Sequence, residues 1–447
     1  MMQAGMENKE TTGWRKAIAD YTDRRVLQVL AIGFSSGLPL MLIYLTLSAW
    51  LATAHVKRSA IGAFALVSSF YALKFLWSPL IDRLPPPLPM GRRRGWGLSI
   101  QIALVAAILA LGSCDPKRNL GTMGVLAAVL AFLSASQDIV IDAWRIEILP
   151  LELQGPGAAM IQTGYYMGML ASGAGALVIA ARFGWFAAYA IMAFLLAIST
   201  LTFILGPEPG VSREAFRRLP ASQGTWTFAR EWLSTAVIGP FSDFMRRPYW
   251  ALILFIILDY KLGEGMAAVM STPLYISLGF TLNEIALISK FFGPFTVILG
   301  ALLGGVITVR FGLLRSLVFC GILQAVGNLT YVLQAVGGHK IAYLALCVAA
   351  QNITTGMAGT ALVSFISSLC SPKFTATQYA LFASLALLGR TFVGSTGGAL
   401  SEAIGWVPFF LLTTLVTLPA LVLLVWIERR DARLTAEAVP LAASSRS

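Results

Sequence analysis

Twelve apolar runs, each long enough to cross a bilayer as a helix, limit what this chain can fold into. A hydrocarbon core of ~30 Å needs ~20 helical residues, and in lipid only a helix or a closed barrel satisfies every backbone group. The runs cover 26–52, 60–82, 96–113, 120–149, 156–180, 184–206, 248–276, 283–309, 314–335, 341–370, 374–400 and 405–428. Only 12% of the 447 residues are charged, against about 25% in a soluble domain. The sequence therefore predicts an all-α membrane protein of twelve transmembrane helices. Residues 1–25 are polar and the first run is long, so it reads as a retained helix and not a cleaved leader.

A net charge of +12 would suggest nucleic acid in a soluble chain. Here the basic residues lie between the runs, and no nucleic-acid partner is expected. They gather on one side: before residue 26, in the second loop, between 207 and 247, and after 428. Cytoplasmic loops carry the excess of Lys and Arg, so both termini are expected in the cytoplasm. The polar interruption at 207–247 divides the chain into halves, as expected of parallel repeats. The predicted organisation is a tail (1–25), a six-helix bundle (26–206), a central loop (207–247), a second bundle (248–428) and a tail (429–447). Within the loop, 226–244 is amphipathic and would suit the membrane surface or serve as a linker.

Chemistry concentrates in Ser134–Pro150, SASQDIVIDAWRIEILP, which closes the fourth run. Asp138, Asp142 and Arg145 are spaced by four and three, so they share one helical face. A charge facing lipid costs about 3 kcal/mol on insertion scales, so this face must meet protein or water. Two acids against one base leave a carboxylate available for a proton, and the alternative is a cluster that only pins helices. Asp138 lies deeper than Asp142 and is the candidate carrier of the proton, with Asp142 beside Arg145.

Other charges interrupt the apolar runs: Lys74, Asp259, Lys261, Glu264, Lys290 and Arg390. Lys261 and Glu264 are three apart and could neutralise each other, whereas Asp259 projects ~200° from Lys261. Asp259 is a further proton-coupling candidate. Lys74 and Arg390 have no partner on their own helix, so each would meet an anionic substrate or an acid elsewhere. The amides of Gln137, Gln162, Gln351, Asn352 and Gln378, with the ring of Tyr165, are candidate substrate contacts or ties between helices. Glycine pairs at 173/175, 304/305 and 397/398 are expected at close helix contacts. In the second loop Asp82, Arg83, Arg92, Arg93 and Arg94 could gate one end of the bundle or act as a positive anchor. No P-loop, nucleotide fingerprint or metal spacing occurs, so no cofactor is expected.

The stretches GFSSGLPL (33–40), FLWSPLIDR (75–83), GRRRGW (91–96), SASQDIVIDAWRIEILP (134–150), YKLGEGM (260–266), FCGILQ (319–324) and TATQYAL (375–381) resemble the AmpG-type muropeptide permeases of the major facilitator superfamily. The second loop is similar to that superfamily's loop between helices two and three, with a Pro-rich insert in place of the usual small spacer. The resemblance runs from the first helix to the twelfth. It implies proton-driven import of GlcNAc-1,6-anhydro-MurNAc peptides across the bacterial inner membrane, with a part in peptidoglycan recycling and β-lactamase induction. The expectation is a monomeric symporter working by alternating access, with anhydro-muropeptide, protons and membrane lipid as partners. Lys74, Lys261 and Arg390 would anchor peptide carboxylates. Two alternatives stand beside it: transport of another bulky anion such as acetyl-CoA, and a membrane-embedded cell-wall enzyme. The second is disfavoured by loops that are short everywhere except 207–247.

Overall fold

The computed structural model describes residues 13–57, 64, 67, 69–210 and 238–430. The first half of the second run, most of the central loop, Arg58 and the last tail lie outside them, as does the side chain of Lys290. No strand occurs among the described residues, and ten helices are long and apolar enough to cross a membrane. These are α1 (Arg24–Thr53), α3 (Arg92–Gly112), α4 (Leu120–Ile148), α5 (Leu151–Phe183), α6 (Trp185–Leu205), α9 (Leu282–Phe311), α10 (Leu313–Gly337), α11 (Ile341–Ser368), α12 (Thr375–Ile404) and α13 (Trp406–Arg430). Their bounds fall within a few residues of the apolar runs.

Two runs behave differently. The second, α2 (69–83), is a series of turns: Ser69–Leu73, a tight turn Lys74–Leu76, and Ser78–Arg83. Pro79 in the first turn of the last piece has no N–H to give Phe75, so the helical ladder is interrupted just before it. Lys74 sits at that interruption. The seventh run, expected as one helix over 248–276, is divided into α7 (Trp250–Asp259) and α8 (Leu262–Ser277). The break falls where three consecutive side chains reach three different helices. Asp259 accepts from Ala420 N–H on α13, Tyr260 donates to Leu317 O on α10, and Lys261 donates to Thr355 O on α11.

By contact the chain forms two units. The first comprises Met1–Arg247 with Ile366–Ser384, the second Pro248–Phe365 with Leu385–Ser447. The end of α11 and the start of α12 thus join the first unit. They are tied there by Thr377 to Asp82, Gln378 to Asp243 and Phe382 against Phe244.

In the first unit α1 and α5 cross with their backbones in contact. Gly33 and Gly37 on α1 interlock with Gly164 and Gly168 on α5, each pair four residues apart. A Cβ at Gly33 would stand 2.5 Å from Ile161 O, and one at Gly37 would strike Tyr165 O. Small residues one turn apart are what permit such an approach in lipid. In the second unit Gly300 and Gly304 of α9 do the same against Ile353 and Met357 of α11. Of the glycine pairs expected at close contacts, Gly304 is at one. At Gly397 a Cβ would stand a tight 3.3 Å from Met270 Cγ, Gly173 makes an ordinary contact, Gly175 barely touches a neighbour and Gly398 faces open space. Several of the closest backbone approaches are thus made by glycines spaced four apart, at 33/37, 164/168 and 300/304.

Candidate functional site

The acid face of α4 meets α1 and α2 inside the first unit. Asp138 accepts a hydrogen bond from Ser36 Oγ at 2.6 Å, and its other oxygen lies 3.9 Å from Lys74 Nζ. The same ammonium stands 3.8 Å from Asp142, so one lysine serves two carboxylates. Ser36 is presented by the α1–α5 glycine crossing, and Lys74 by the interruption that Pro79 imposes on α2. Lys74 and Arg145 are buried, Arg145 completely, as a charge in a spanning helix must be. Arg145 lies 4.0 Å from Asp142, donates through Nη2 to Ser367 Oγ at 2.9 Å, and stacks over the Tyr379 ring. Among the described residues its Nε and Nη1 find no hydrogen-bond acceptor.

Around this centre runs a polar seam. Ser35 Oγ accepts from both Gln137 and Gln101, and Gln101 also donates to Ser199 Oγ at 2.8 Å. The buried Oε1 atoms of Gln137 and Gln101 and the hydroxyl of Ser134 carry no hydrogen-bond partner among the described residues. Unpaired groups of this kind cost about 1–3 kcal/mol each when dry, so the seam is suited to water or a polar ligand. Gln162 and Tyr165 are half-buried on α5, where Tyr165 packs edge-on against Tyr166.

The second unit holds a centre of opposite sense. Glu264 on α8 is buried, with Oε2 2.9 Å from Lys261 Nζ and Oε1 3.6 Å from Arg390 Nη2 of α12. The helical pairing of Lys261 with Glu264 is present, and Arg390 has met an acid on another helix. Nearby, Gln351 donates to Asn328 Oδ1 at 3.0 Å, and Gln324 reaches Thr355 Oγ1. Asn352 is half-buried against Gly293. Asp259 stands apart from Lys261 and Glu264. Its carboxylate receives Ala420 N–H at 3.0 Å, where α13 turns at Thr417, so it serves as a cap inside a kinked helix.

At the far end of α4, Asp82 is the hub of a charged knot. One oxygen takes Arg93 Nη2 at 2.8 Å, and the other takes both the N–H and the hydroxyl of Thr377, at 2.8 and 2.7 Å. Glu147 binds Arg92 and Arg93 together. Arg83 stacks over Phe374. Arg94 is turned elsewhere, donating to the carbonyls of Phe203 and Ile204 at the end of α6. Glu208 returns the cap by accepting from Arg93 N–H and Arg94 N–H at the start of α3. Gln378 is wholly occupied in bracing, between Ser371 N–H, Pro240 O and Asp243.

Sequence reasoning did not single out Ser36, Glu147, Glu208 or Thr377. Ser36 had a usable signal, since it lies between two glycines spaced for a close crossing. Thr377 lies in the TATQYAL stretch, but nothing local points from it to Asp82, 295 residues away.

The general model of the Major Facilitator Superfamily matches residues 29–298 and 260–445. The anhydromuropeptide permease of Escherichia coli is 40% identical over 89% of this chain and 78% of its own length. A putative transporter AmpG 4 of Rickettsia conorii is 32% identical over 92% of this chain and 98% of its own. The crystal structure of the human organic anion transporter MFSD10 superposes with a TM-score of 0.61 at 17% identity, covering 92% of this chain and 99% of that one, which speaks to the fold alone. With both halves matched and relatives of this identity along nearly its whole length, the chain belongs to the major facilitator superfamily, in its AmpG-type permease branch, and is a multi-pass membrane transporter.

Proposed function

We propose that the chain imports anhydro-muropeptides into the bacterial cytoplasm by proton symport and alternating access. The observation that carries the proposal is one buried lysine shared between two carboxylates on a membrane-crossing helix. While both acids are ionised, Lys74 and Arg145 match them charge for charge, with Asp142 close to both cations and Asp138 close to Lys74 alone. Taking up one proton on Asp138 releases Lys74 to Asp142 alone, so the arrangement of the cluster changes with its protonation. Asp138 is the carrier in this scheme, because its second oxygen is held by a neutral hydroxyl, whereas Asp142 also has Arg145. The relatives' names supply the cargo: an anhydro-muropeptide bears sugar hydroxyls, peptide amides and carboxylates. Lys261 and Arg390 answer the carboxylates, with Gln351 and Asn352 of the same unit offering amides to the peptide groups. The Asp82 knot acts as the gating latch, and the remaining expectations belong to the same reading: two six-helix bundles, cytoplasmic termini, an inner-membrane location, a monomer, and a part in peptidoglycan recycling and β-lactamase induction.

The test is counterflow in proteoliposomes with labelled anhydro-muropeptide, run against a coenzyme A ester. Exchange of the first and not the second is expected, and the reverse would move the protein to another anionic cargo. Asp138→Asn, which mimics the protonated acid, is expected to lose accumulation against a gradient by at least about tenfold while retaining exchange. Continued accumulation by this variant, still collapsed by a protonophore, would remove Asp138 from the coupling step.

A further inference from the structure

A cavity of about 370 Å³ opens where the start of α1 meets the end of α6, away from the polar centre. Arg24, Arg25 and Gln28 line one side, and Leu205, Gly206 and Pro207 the other. Asp23 also borders it, but its Oδ1 is already taken by Arg25 N–H as the cap of α1. Among the described residues no carboxylate forms an ion pair with either guanidinium, and the only acceptor Arg25 reaches is Ile148 O at a long 3.4 Å. Gln28 places a buried Oε1 atom here without a donor to meet it. The site thus offers two cationic forks and one acceptor, a pattern suited to a phosphodiester followed by a hydroxyl.

Its depth argues for a lipid over a soluble anion. Both helices that form it are long and apolar enough to cross a membrane, and the cavity lies at their ends, where a bilayer's headgroups would meet the chain. Leu205 at the cavity's edge, Leu27 next to Gln28, and Leu201, one turn along α6 from Leu205, are exposed, offering an apolar shelf along which acyl chains can run. We propose that this cavity holds the headgroup of an anionic glycerophospholipid, its phosphate between Arg24 and Arg25 and a headgroup hydroxyl on Gln28 Oε1. The inference rests on the chain spanning the membrane and not on its cargo.

Native mass spectrometry of the full-length protein, released from detergent with phosphatidylglycerol, phosphatidylcholine or inorganic phosphate, tests it. Wild type should retain phosphatidylglycerol over phosphatidylcholine, which has no headgroup donor, and millimolar phosphate should not displace it. Arg24→Gln with Arg25→Gln should weaken retention by about tenfold or more, since each arginine near an anionic surface contributes appreciably. Arg118→Gln with Arg182→Gln, exposed at the opposite ends of the spans, should leave it unchanged. If the double variant folds poorly, Leu205→Glu, at an exposed position, places a repelling charge at the mouth and should have the same effect. Equal retention by wild type and both cavity variants, equal loss in the control pair, or displacement by inorganic phosphate would overturn the proposal.

Discussion

The two charged centres differ in the sign of their shared member, and the first has Arg145 beside Asp142 as a second cation. In the first unit one cation, Lys74, is shared by two acids at 3.9 and 3.8 Å. In the second unit one acid, Glu264, is shared by two cations at 2.9 and 3.6 Å. The distances differ along with the signs. Lys74 stands back from both carboxylates, close enough to stabilise them and too far to form a tight pair with either. Glu264 makes one tight pair and one loose one. A centre whose charges are held apart can change its protonation without breaking a strong bond, whereas a centre with a tight pair is better fitted to hold a fixed charge pattern for recognition. Both are built on interrupted helices, the first at Pro79 of α2 and the second at the break between α7 and α8.

Removing the shared member should do the most damage, because it leaves like charges buried together. Breaking a buried pair by deleting one partner costs about 3–5 kcal/mol. Lys74→Gln should therefore lower the thermal midpoint and folding yield sharply, and Asp138→Asn added to it should restore much of the loss. Glu264→Gln should cost less, since Arg390 is about half exposed and can turn its charge to water. Thermal melts of both variants and the rescue pair in detergent would check this. Equal losses for Lys74→Gln and Glu264→Gln, or no rescue, would show that the two centres do not differ in the manner described.

A smaller effect is expected at Arg390. Arg390→Gln leaves Glu264 with Lys261 at 2.9 Å, so the fold should hold. What changes is recognition, if the second centre reads carboxylates. The apparent binding constant should rise several-fold for a peptide-bearing anhydro-muropeptide and little for the peptide-free disaccharide, since a single charged contact is worth about 1–2 kcal/mol. Equal losses for both substrates in a counterflow assay would make Arg390 a structural partner of Glu264 and nothing more.

How far these centres could be read from the sequence follows the range of the interactions involved. The shared face of Asp138, Asp142 and Arg145 and the pairing of Lys261 with Glu264 are set by helical periodicity, so eight residues of chain suffice for the first and four for the second. The apolar runs carried most of the fold for the same reason. Contacts between helices were harder. Lys74 and Arg390 were recognisable as charges in need of an acid, but which acid depends on packing that no local pattern encodes. The hold of Thr377 on Asp82 and the cap from Glu208 onto α3 lie further still beyond local reading. The break after Asp259 was missed because Tyr260 and Lys261 suit a helix, and what interrupts it is the pull of Leu317, Thr355 and Ala420 on neighbouring helices.

Asp259 gives the smallest predicted effect and the finest discrimination. It is as buried as Lys74 and lies one residue from a break in a membrane helix, which makes it look like a proton site. Its partner says otherwise: a backbone N–H, Ala420, that the kink of α13 at Thr417 would leave without an acceptor. A cap needs an oxygen and not a charge. Asparagine keeps an oxygen, so Asp259→Asn should cost no more than about 1 kcal/mol in a melt, and accumulation against a gradient should persist. Asp259→Ala removes the acceptor and should cost up to about 2 kcal/mol, with coupling intact in the protein that folds. Both outcomes contrast with Asp138→Asn, where the oxygen count matters little and the charge decides. Loss of accumulation in Asp259→Asn, with its melt unchanged, would place a proton step in the second unit and dissolve the division of labour between the two centres.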